Sequence, residues 1–220
     1  MSDIEVQLID SMGSDLSVVN AARVSFGKVS EMEYNQWGPP TFKDKDAKLI
    51  RYLAKHKHLS PFGHCFASFH IKAPVFVARQ LVKHKFLRWN EISRRYVSSD
   101  PEYFTPVLRE ALSDKKQGSG CPVGLPILDD VVRHHQIEST KQYKYLLKMG
   151  VCEEQARMVL PLNSMTEWYW SGSLDAFADM CNLRCKPDTQ VESQLVANQV
   201  ADKMAGLFPV SWKALRDDGD

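Results

Sequence analysis

Apolar and polar positions change their period several times along the chain, and each change marks an element. Val6, Leu8 and Ile9 predict a short opening strand. Ser14-Asp15-Leu16 reads as a helix start, after which Leu16, Val19, Ala22 and Val24 fall on one face. Lys28 to Pro40 is polar, ends in Gly38-Pro39-Pro40 and reads as a surface loop. Asp46 to Lys55 is helical, with Leu49, Ile50 and Leu53 inward. From His64 to Lys72 the period becomes two. Cys65, Ala67, Phe69 and Ile71 alternate with Phe66, Ser68, His70 and Lys72, a strand expected to be covered on both sides because Phe66 is also apolar. Pro74 suits the first position of a helix running from Val75 to about His84, followed by a charged loop. Lys115 to Gly124 is polar and Gly-rich, a mobile excursion. Pro126 to Met149 has helical periodicity through Ile127, Val131, His134, Ile137, Tyr143, Leu146 and Leu147, and stops at Gly150. Glu153 to Leu160 is a short helix ended by Pro161. Met165 to Trp170 reads as a strand, Ser173 to Cys181 and Val191 to Leu207 as helices, and a last short helix follows Pro209.

Strands and helices mix without regular βαβ alternation, and no internal repeat or long linker divides the chain. The pattern predicts a single α+β domain over residues 1–220. With 44% hydrophobic and 25% charged residues, the composition is that of an ordinary globular protein. The net charge of +1 argues against a molecule built to coat nucleic acid or an acidic membrane, so any nucleotide site must come from local clustering. The N-terminus has neither a basic nor an apolar signal region, and runs such as Pro74 to Ala78 are too short to span a bilayer; a cytoplasmic location is expected. The five cysteines are scattered and odd in number, which argues against a disulfide framework. Cys181 and Cys185 share a helix face but lack a second ligand pair, so buried thiols are expected there and no metal site.

The local cluster lies between Arg79 and Tyr96, where six Arg or Lys and one His occur together. Such a run is often a solvated face. Here Phe86, Trp89 and Tyr96 interleave with the charges, and Asn90, Glu91 and Ser93 add oriented hydrogen-bonding groups. Cations beside aromatic and amide partners suit a phosphate joined to a flat heterocycle.

The segment Lys83-His84-Lys85-Phe86-Leu87-Arg88-Trp89-Asn90-Glu91-Ile92-Ser93-Arg94-Arg95 resembles the signature of the flavin-dependent thymidylate synthase family. That signature is Arg-His-Arg, two residues, Ser, one residue, Asn-Glu, one residue, Ser, one residue, Arg. His84, Asn90, Glu91, Ser93 and Arg95 match; Lys83, Lys85 and Arg88 depart. Further blocks resemble the family in order: Ala21 to Phe26, His58 to His64, Phe69 to Pro74 leading into Phe76 to Gln80, Ala156 to Asn163, and Asn182-Leu183-Arg184. The resemblance implies an α+β domain with a mixed or antiparallel sheet and long helices.

It also implies roles. Lys83, His84 and Lys85 take the places of a trio that contacts FAD; the lysines keep the charge but lose the planar fork of arginine. Ser25, His58, Ser60, Ser173 and Asp179 fall on the flavin side, with an acid at Asp179 where the family has an amide. Gln80, Lys83, Glu91, Ser93, Arg94, Arg95, Arg157 and Arg184 match positions around the nucleotide, with Arg95 suited to the dUMP phosphate and Glu91 facing both ligands. Arg184 meets the uracil edge where negative charge develops as C5 becomes nucleophilic; helix-terminal pairing with Asp179 or Asp188 is its bland alternative. Arg184, Ser93 and His58 form the implied catalytic set, Ser93 in a binding role rather than as a nucleophile.

The implied reaction converts dUMP to dTMP, with methylenetetrahydrofolate as one-carbon donor and NADPH-reduced FAD as hydride source, in a homotetramer with shared sites, without nucleic acid or membrane partners. The residues agree in two negative ways. Cys121-Pro122 lacks the Pro-Cys-His setting of the enzyme that attacks C6 through cysteine, and no G-x-G-x-x-G turn is present. The rival readings are a nucleic-acid module stacking a base on Trp89, the same fold acting on another pyrimidine nucleotide, and an inactive relative.

Overall fold

The computed structural model describes residues 3–34, 38–113 and 118–216. Four strands, β1 (Glu5–Met12), β2 (Phe66–Pro74), β3 (Leu87–Glu91) and β4 (Met165–Ser173), form an antiparallel sheet in the order β1-β2-β4-β3. The helices are α1 (Asp15–Arg23), α2 (Asp44–Lys55), α3 (Val75–Leu81), α4 (Pro126–Lys148), α5 (Glu153–Ala156), α6 (Leu174–Arg184), α7 (Val191–Leu207) and α8 (Pro209–Arg216). The architecture is the predicted α+β domain. No helix among the described residues is long and apolar enough to cross a membrane.

The predicted alternation of β2 builds the core. Ala67, Phe69 and Ile71 point inward beside Trp168 and Trp170 of β4, and α6 and α7 cover them with Phe177, Met180, Val196 and Val200. Each such side chain withdrawn from water contributes about 1.5–3 kcal/mol. The aromatic rings meet edge to face: Phe69 with Phe177 at 5.1 Å and Trp170 with Phe177 at 5.5 Å. The expected second cover on β2 is not supplied by the described residues. Phe66 and Tyr169 are exposed on the outer face, where Ser68 bonds Ser171 and His70 pairs with Glu167. A row so polar gives a further layer little apolar area to bury.

Buried polar links position the outer helices. Asp15 of α1 accepts hydrogen bonds from the backbone N–H groups of Val210 and Ser211, capping α8 with a carboxylate that suits the positive end of a helix. Asp46 of α2 pairs with Arg23 of α1 and accepts the Ser30 hydroxyl, while Asn20 bonds the Ser30 backbone twice. This network pins the polar segment after α1; its residues 35–37 lie outside the described residues, as do 115–117 of the predicted excursion.

Several expectations are corrected. In α1 the buried residues are Asp15, Val18 and the expected Val19, whereas Val24, just past the helix, is exposed. Pro74 closes β2 and caps α3 rather than starting it, and α3 stops at Leu81. The charged loop after His84 contains β3, an edge strand in which Leu87 and Trp89 face the core and Arg88 and Asn90 face away. Of the α4 residues that carry the periodicity, Tyr143 is buried and Leu146 and Leu147 are half-buried, whereas Ile127, Val131 and Ile137 are exposed; Gln136 and Ser139, outside that pattern, are buried beside Tyr143. Hydrogen bonds dock that polar face. Thr140 bonds the Tyr103 hydroxyl at 2.8 Å, and Gln136 and Asn163 both donate to the Phe104 carbonyl. Gly150, at φ 84°, ends the helix in the left-handed conformation that its sequence position predicts.

Candidate functional site

The sequence-predicted residues gather in three groups. The first surrounds the turn after β3. Glu91 accepts the Thr166 hydroxyl at 2.7 Å on one carboxylate oxygen and the Trp89 indole N–H at 3.1 Å on the other, so both of its oxygens are fixed. Ser93 heads the next turn: its carbonyl accepts from Tyr96 N–H and its hydroxyl from Arg95 N–H. Arg95 pairs with Glu154 at 3.3 Å, and Arg157, just after α5, donates to the Glu154 carbonyl. Arg94 donates to the Ser99 carbonyl. Glu91, Arg94 and Arg157 line a cavity of about 620 Å³ together with Arg79, Lys72, Val75, Ile92 and Met158. That size suits a nucleotide-sized ligand. The resemblance implies no role for Arg79, yet it faces the cavity and has no polar partner among the described residues. Its adjacency to Gln80 was the available signal.

The second group lies where α3 and α6 end. Arg184, the last residue of α6, donates from Nε to His84 Nε2 at 3.0 Å and from Nη2 to the Gln80 carbonyl at 3.4 Å. The alternative pairing with Asp179 or Asp188 is not formed. Burial, and then the Arg184 charge, lowers the His84 pKa to about 4, so the ring is a neutral acceptor near neutral pH. The Gln80 side chain is held by the Ser193 hydroxyl at 3.0 Å and by Gln190, both at the start of α7. Gln80 and Arg184 line a separate cavity of about 750 Å³, walled by Pro106 to Arg109, Gly118, Ser119 and Gln190. Arg109 anchors that wall through a largely buried ion pair with Glu192 and a bond to Ser119. Lys83 and Lys85 are exposed in the turn around His84, without polar partners among the described residues.

The third group sits at the opposite end of α6. Ser173 caps that helix, roughly 16 Å along its axis from Arg184 at 1.5 Å per residue. His58 and Ser60 lie in the loop after α2, where His58 stands near the rings of Tyr52 and His56. Burial, then the neighbouring Asp175, raises the Asp179 pKa, while Lys57 opposes the shift. Asp175 was missed, although its spacing of one helical turn from Asp179 places both on one face. Its Oδ1 is buried with no hydrogen-bond partner. Ser25 stands apart from this group: it is exposed in the 3-10 turn Val24–Phe26, next to Arg23, which pairs with Asp46 at the start of α2, whereas His58 follows the end of that helix.

This donor set fits FAD in kind. Two unpaired lysines suit a diphosphate. Serine hydroxyls, an orphaned carboxylate oxygen and a histidine suit a polyhydroxylated chain and a heterocycle edge. Among the described residues, no three His, Cys, Asp or Glu cluster as a metal site would. Cys181 in α6 is buried and its thiol pKa is raised; Cys185, which caps the end of that helix, is drawn down to about 7, chiefly by its hydrogen bond with Cys181, so it departs from the expected buried thiol. Trp89 stacks one face of its ring on Trp168 at 4.4 Å and 18°, so that face is not open to a base.

The family model for thymidylate synthase complementing protein matches residues 7–210. A flavin-dependent thymidylate synthase of Thermus thermophilus is 38% identical over 218 residues, covering 96% of this chain and 75% of that protein. The flavin-dependent thymidylate synthase of Kosmotoga olearia is 39% identical over 213 residues, covering 95% and 88%. Among solved structures, the UMP/dUMP methylase PolB from Streptomyces cacaoi bound with 5-Br dUMP superposes with a TM-score of 0.84 at 31% identity, over 97% of this chain and 94% of that one. The same enzyme bound with 5-Br UMP gives 0.83 at 29% identity, over 98% and 95%.

Proposed function

The chain belongs to the thymidylate synthase complementing protein family, the flavin-dependent thymidylate synthases, and from that premise we propose that it is a methyltransferase converting dUMP to dTMP. Methylenetetrahydrofolate is the one-carbon donor and NADPH the reductant in this reading. Bound FAD supplies the hydride, chemistry that no side chain of the chain can provide.

The observation that carries the proposal is Arg184, a cation held at a cavity wall without a carboxylate partner. C5 of a uracil becomes nucleophilic only as charge accumulates on the ring edge near N3 and O2, and a fixed guanidinium there lowers the barrier. Arg95 and Arg157 hold the nucleotide phosphate, Glu91 and Ser93 fix its orientation, and Arg94 and Arg79 line the approach. Gln80 closes the uracil side. Lys83 and Lys85 hold the FAD diphosphate, and Ser25, His58, Ser60, Ser173 and Asp179 hold the remainder.

Because the nucleotide residues divide between two cavities and the flavin residues divide between the turn around His84 and the far end of α6, in this reading one chain does not enclose both ligands. A homotetramer with sites shared between subunits completes them, and the exposed apolar face of α4 supports such an assembly. We place the enzyme in the cytoplasm, with the nucleotide pool.

A visible spectrum of purified protein with FAD tests the reading. Reduced flavin should reoxidise anaerobically only when dUMP and methylenetetrahydrofolate are both present, with dTMP found by mass analysis. Protein that binds no flavin would remove it. A second reading, methylation of UMP as well as dUMP, is favoured by the likeness to an enzyme solved with both kinds of nucleotide analogue. UMP and dCMP assayed beside dUMP separate the two.

A further inference from the structure

We propose that His84 is a positioning residue for Arg184, holding its guanidinium at the uracil-facing cavity. The inference rests on the reading above for what Arg184 does, and it adds to the role that the family signature suggests for His84.

The geometry is specific. The His84 backbone N–H closes a turn onto the Leu81 carbonyl at 3.1 Å, folding the residue back beneath the end of α3. Its Nε2 then meets Arg184 Nε at 3.0 Å, and the Gln80 carbonyl one turn earlier meets Nη2. A guanidinium carries five N–H donors, so two are spent on positioning and three remain for a ligand. The holder is itself fixed, because Gln80 is clamped to α7 by Ser193 and Gln190.

The choice of acceptors matters more than their number. Every ion pair among the described residues leaves Arg184 out, so imidazole nitrogen and amide carbonyl hold it with no opposing charge. A carboxylate would hold the guanidinium equally well but would neutralise part of the field it is placed to exert. Neutral acceptors orient the cation and leave its charge available to the developing enolate. This arrangement requires His84 to be unprotonated at Nε2. Burial and the adjacent cation favour that state.

Three variants test the idea. His84→Ala should lower kcat per bound flavin at saturating dUMP on the order of 10- to 100-fold, the usual cost of losing a group that orients another, with dUMP KM changed little. His84→Gln places a carbonyl oxygen near the position of Nε2 and should restore most of kcat; His84→Asn reaches only the Nδ1 position and should not. Lost flavin affinity in His84→Ala, with normal turnover per bound flavin, would return the residue to the cofactor. Gln and Ala variants equally slow would also overturn the proposal. Nitrogen NMR of histidine-labelled wild-type protein gives a readout free of activity. Nε2 of His84 should be an unprotonated acceptor near neutral pH, and its resonance should move in Arg184→Ala; a protonated Nε2 would end the proposal. Wild-type protein that makes no dTMP would instead sink the parent reading, leaving the NMR result to decide the contact itself.

Discussion

Asp179 shows how one atom changes the physics of a position. An acid stands there, within one helical turn of Asp175. Burial and the neighbouring carboxylate raise its pKa, so the folded state holds the proton more tightly than the unfolded chain does. The sign follows. As pH rises from the ordinary carboxylate range through the raised value, the folded state loses stability relative to the unfolded one. Asp179→Asn removes the titrating group and should stabilise the flavin-free protein near neutral pH. The advantage should vanish at about pH 3, where both states are protonated. Urea midpoints at the two pH values check this, and an unchanged midpoint near neutrality would refute it. The spacing of Asp175 and Asp179 was legible in the sequence. The orphaned Asp175 oxygen was not, because satisfaction depends on what folds over it. Likewise, His84 and Arg184 were each singled out separately. Their direct contact was invisible, since a hundred residues separate them and no local pattern encodes a pairing across the core.

Strand β3 is the element on which the motif depends, and it was the one missed. Its signal is two alternating apolar residues, Leu87 and Trp89, inside a cationic run whose charge dominated the reading. The strand fits only because Gly172 of β4 has no side chain. A Cβ there would stand 2.4 Å from Leu87 Cδ2 and 3.1 Å from the Phe86 carbonyl oxygen. The leucine can turn away; the carbonyl cannot, and Phe86 already sits at φ 65°. Gly172→Ala should therefore cost about 1–3 kcal/mol, as overpacking does, and should weaken FAD binding by displacing the turn that carries Lys83 and Lys85. Thermal unfolding and a flavin titration measure the two effects. Unaltered stability would mean the sheet edge gives way freely. A second element-scale prediction concerns the segment walling the Arg184 cavity. Arg109→Ala strands Glu192, a carboxylate with almost no solvent access. Breaking such a pair from one side costs about 3–5 kcal/mol, and Arg109→Ala/Glu192→Gln should recover part of it. Limited proteolysis should find the 105–125 segment cut faster in the single variant. Equal cleavage in all three proteins would show that the pair does not anchor it.

At the scale of the molecule, the part of the periodic α4 face that stays exposed is the informative feature. Helical periodicity located Pro126–Lys148 and its end and included the buried Tyr143, but periodicity alone does not turn every apolar residue inward within one chain. Instead Ile127, Val131 and Ile137 form an exposed row, while Gln136, Ser139 and Tyr143 are buried against the body and hydrogen bonds from Gln136 and Thr140 dock that side. Sequence patterning reports which face avoids water, not whose surface covers it, and an apolar row of this kind on an otherwise mixed surface marks an interaction site. Covering each of these side chains in an assembly is worth about 1.5–3 kcal/mol, repeated by symmetry in every subunit. The proposed tetramer would account for the row and for the division of the site into three groups by the same act of assembly. Val131→Asp puts a charge in that row without touching the groups that meet ligands. It should leave the circular dichroism spectrum intact, shift the sedimentation coefficient to a smaller species, and abolish dTMP formation together with FAD affinity, because each chain would be left with fragments of a site. If Val131→Asp stays assembled, α4 is not the contact. If wild type sediments as a monomer while active, sharing between subunits fails, and the second face of the sheet becomes the surface on which one chain must gather its own ligands.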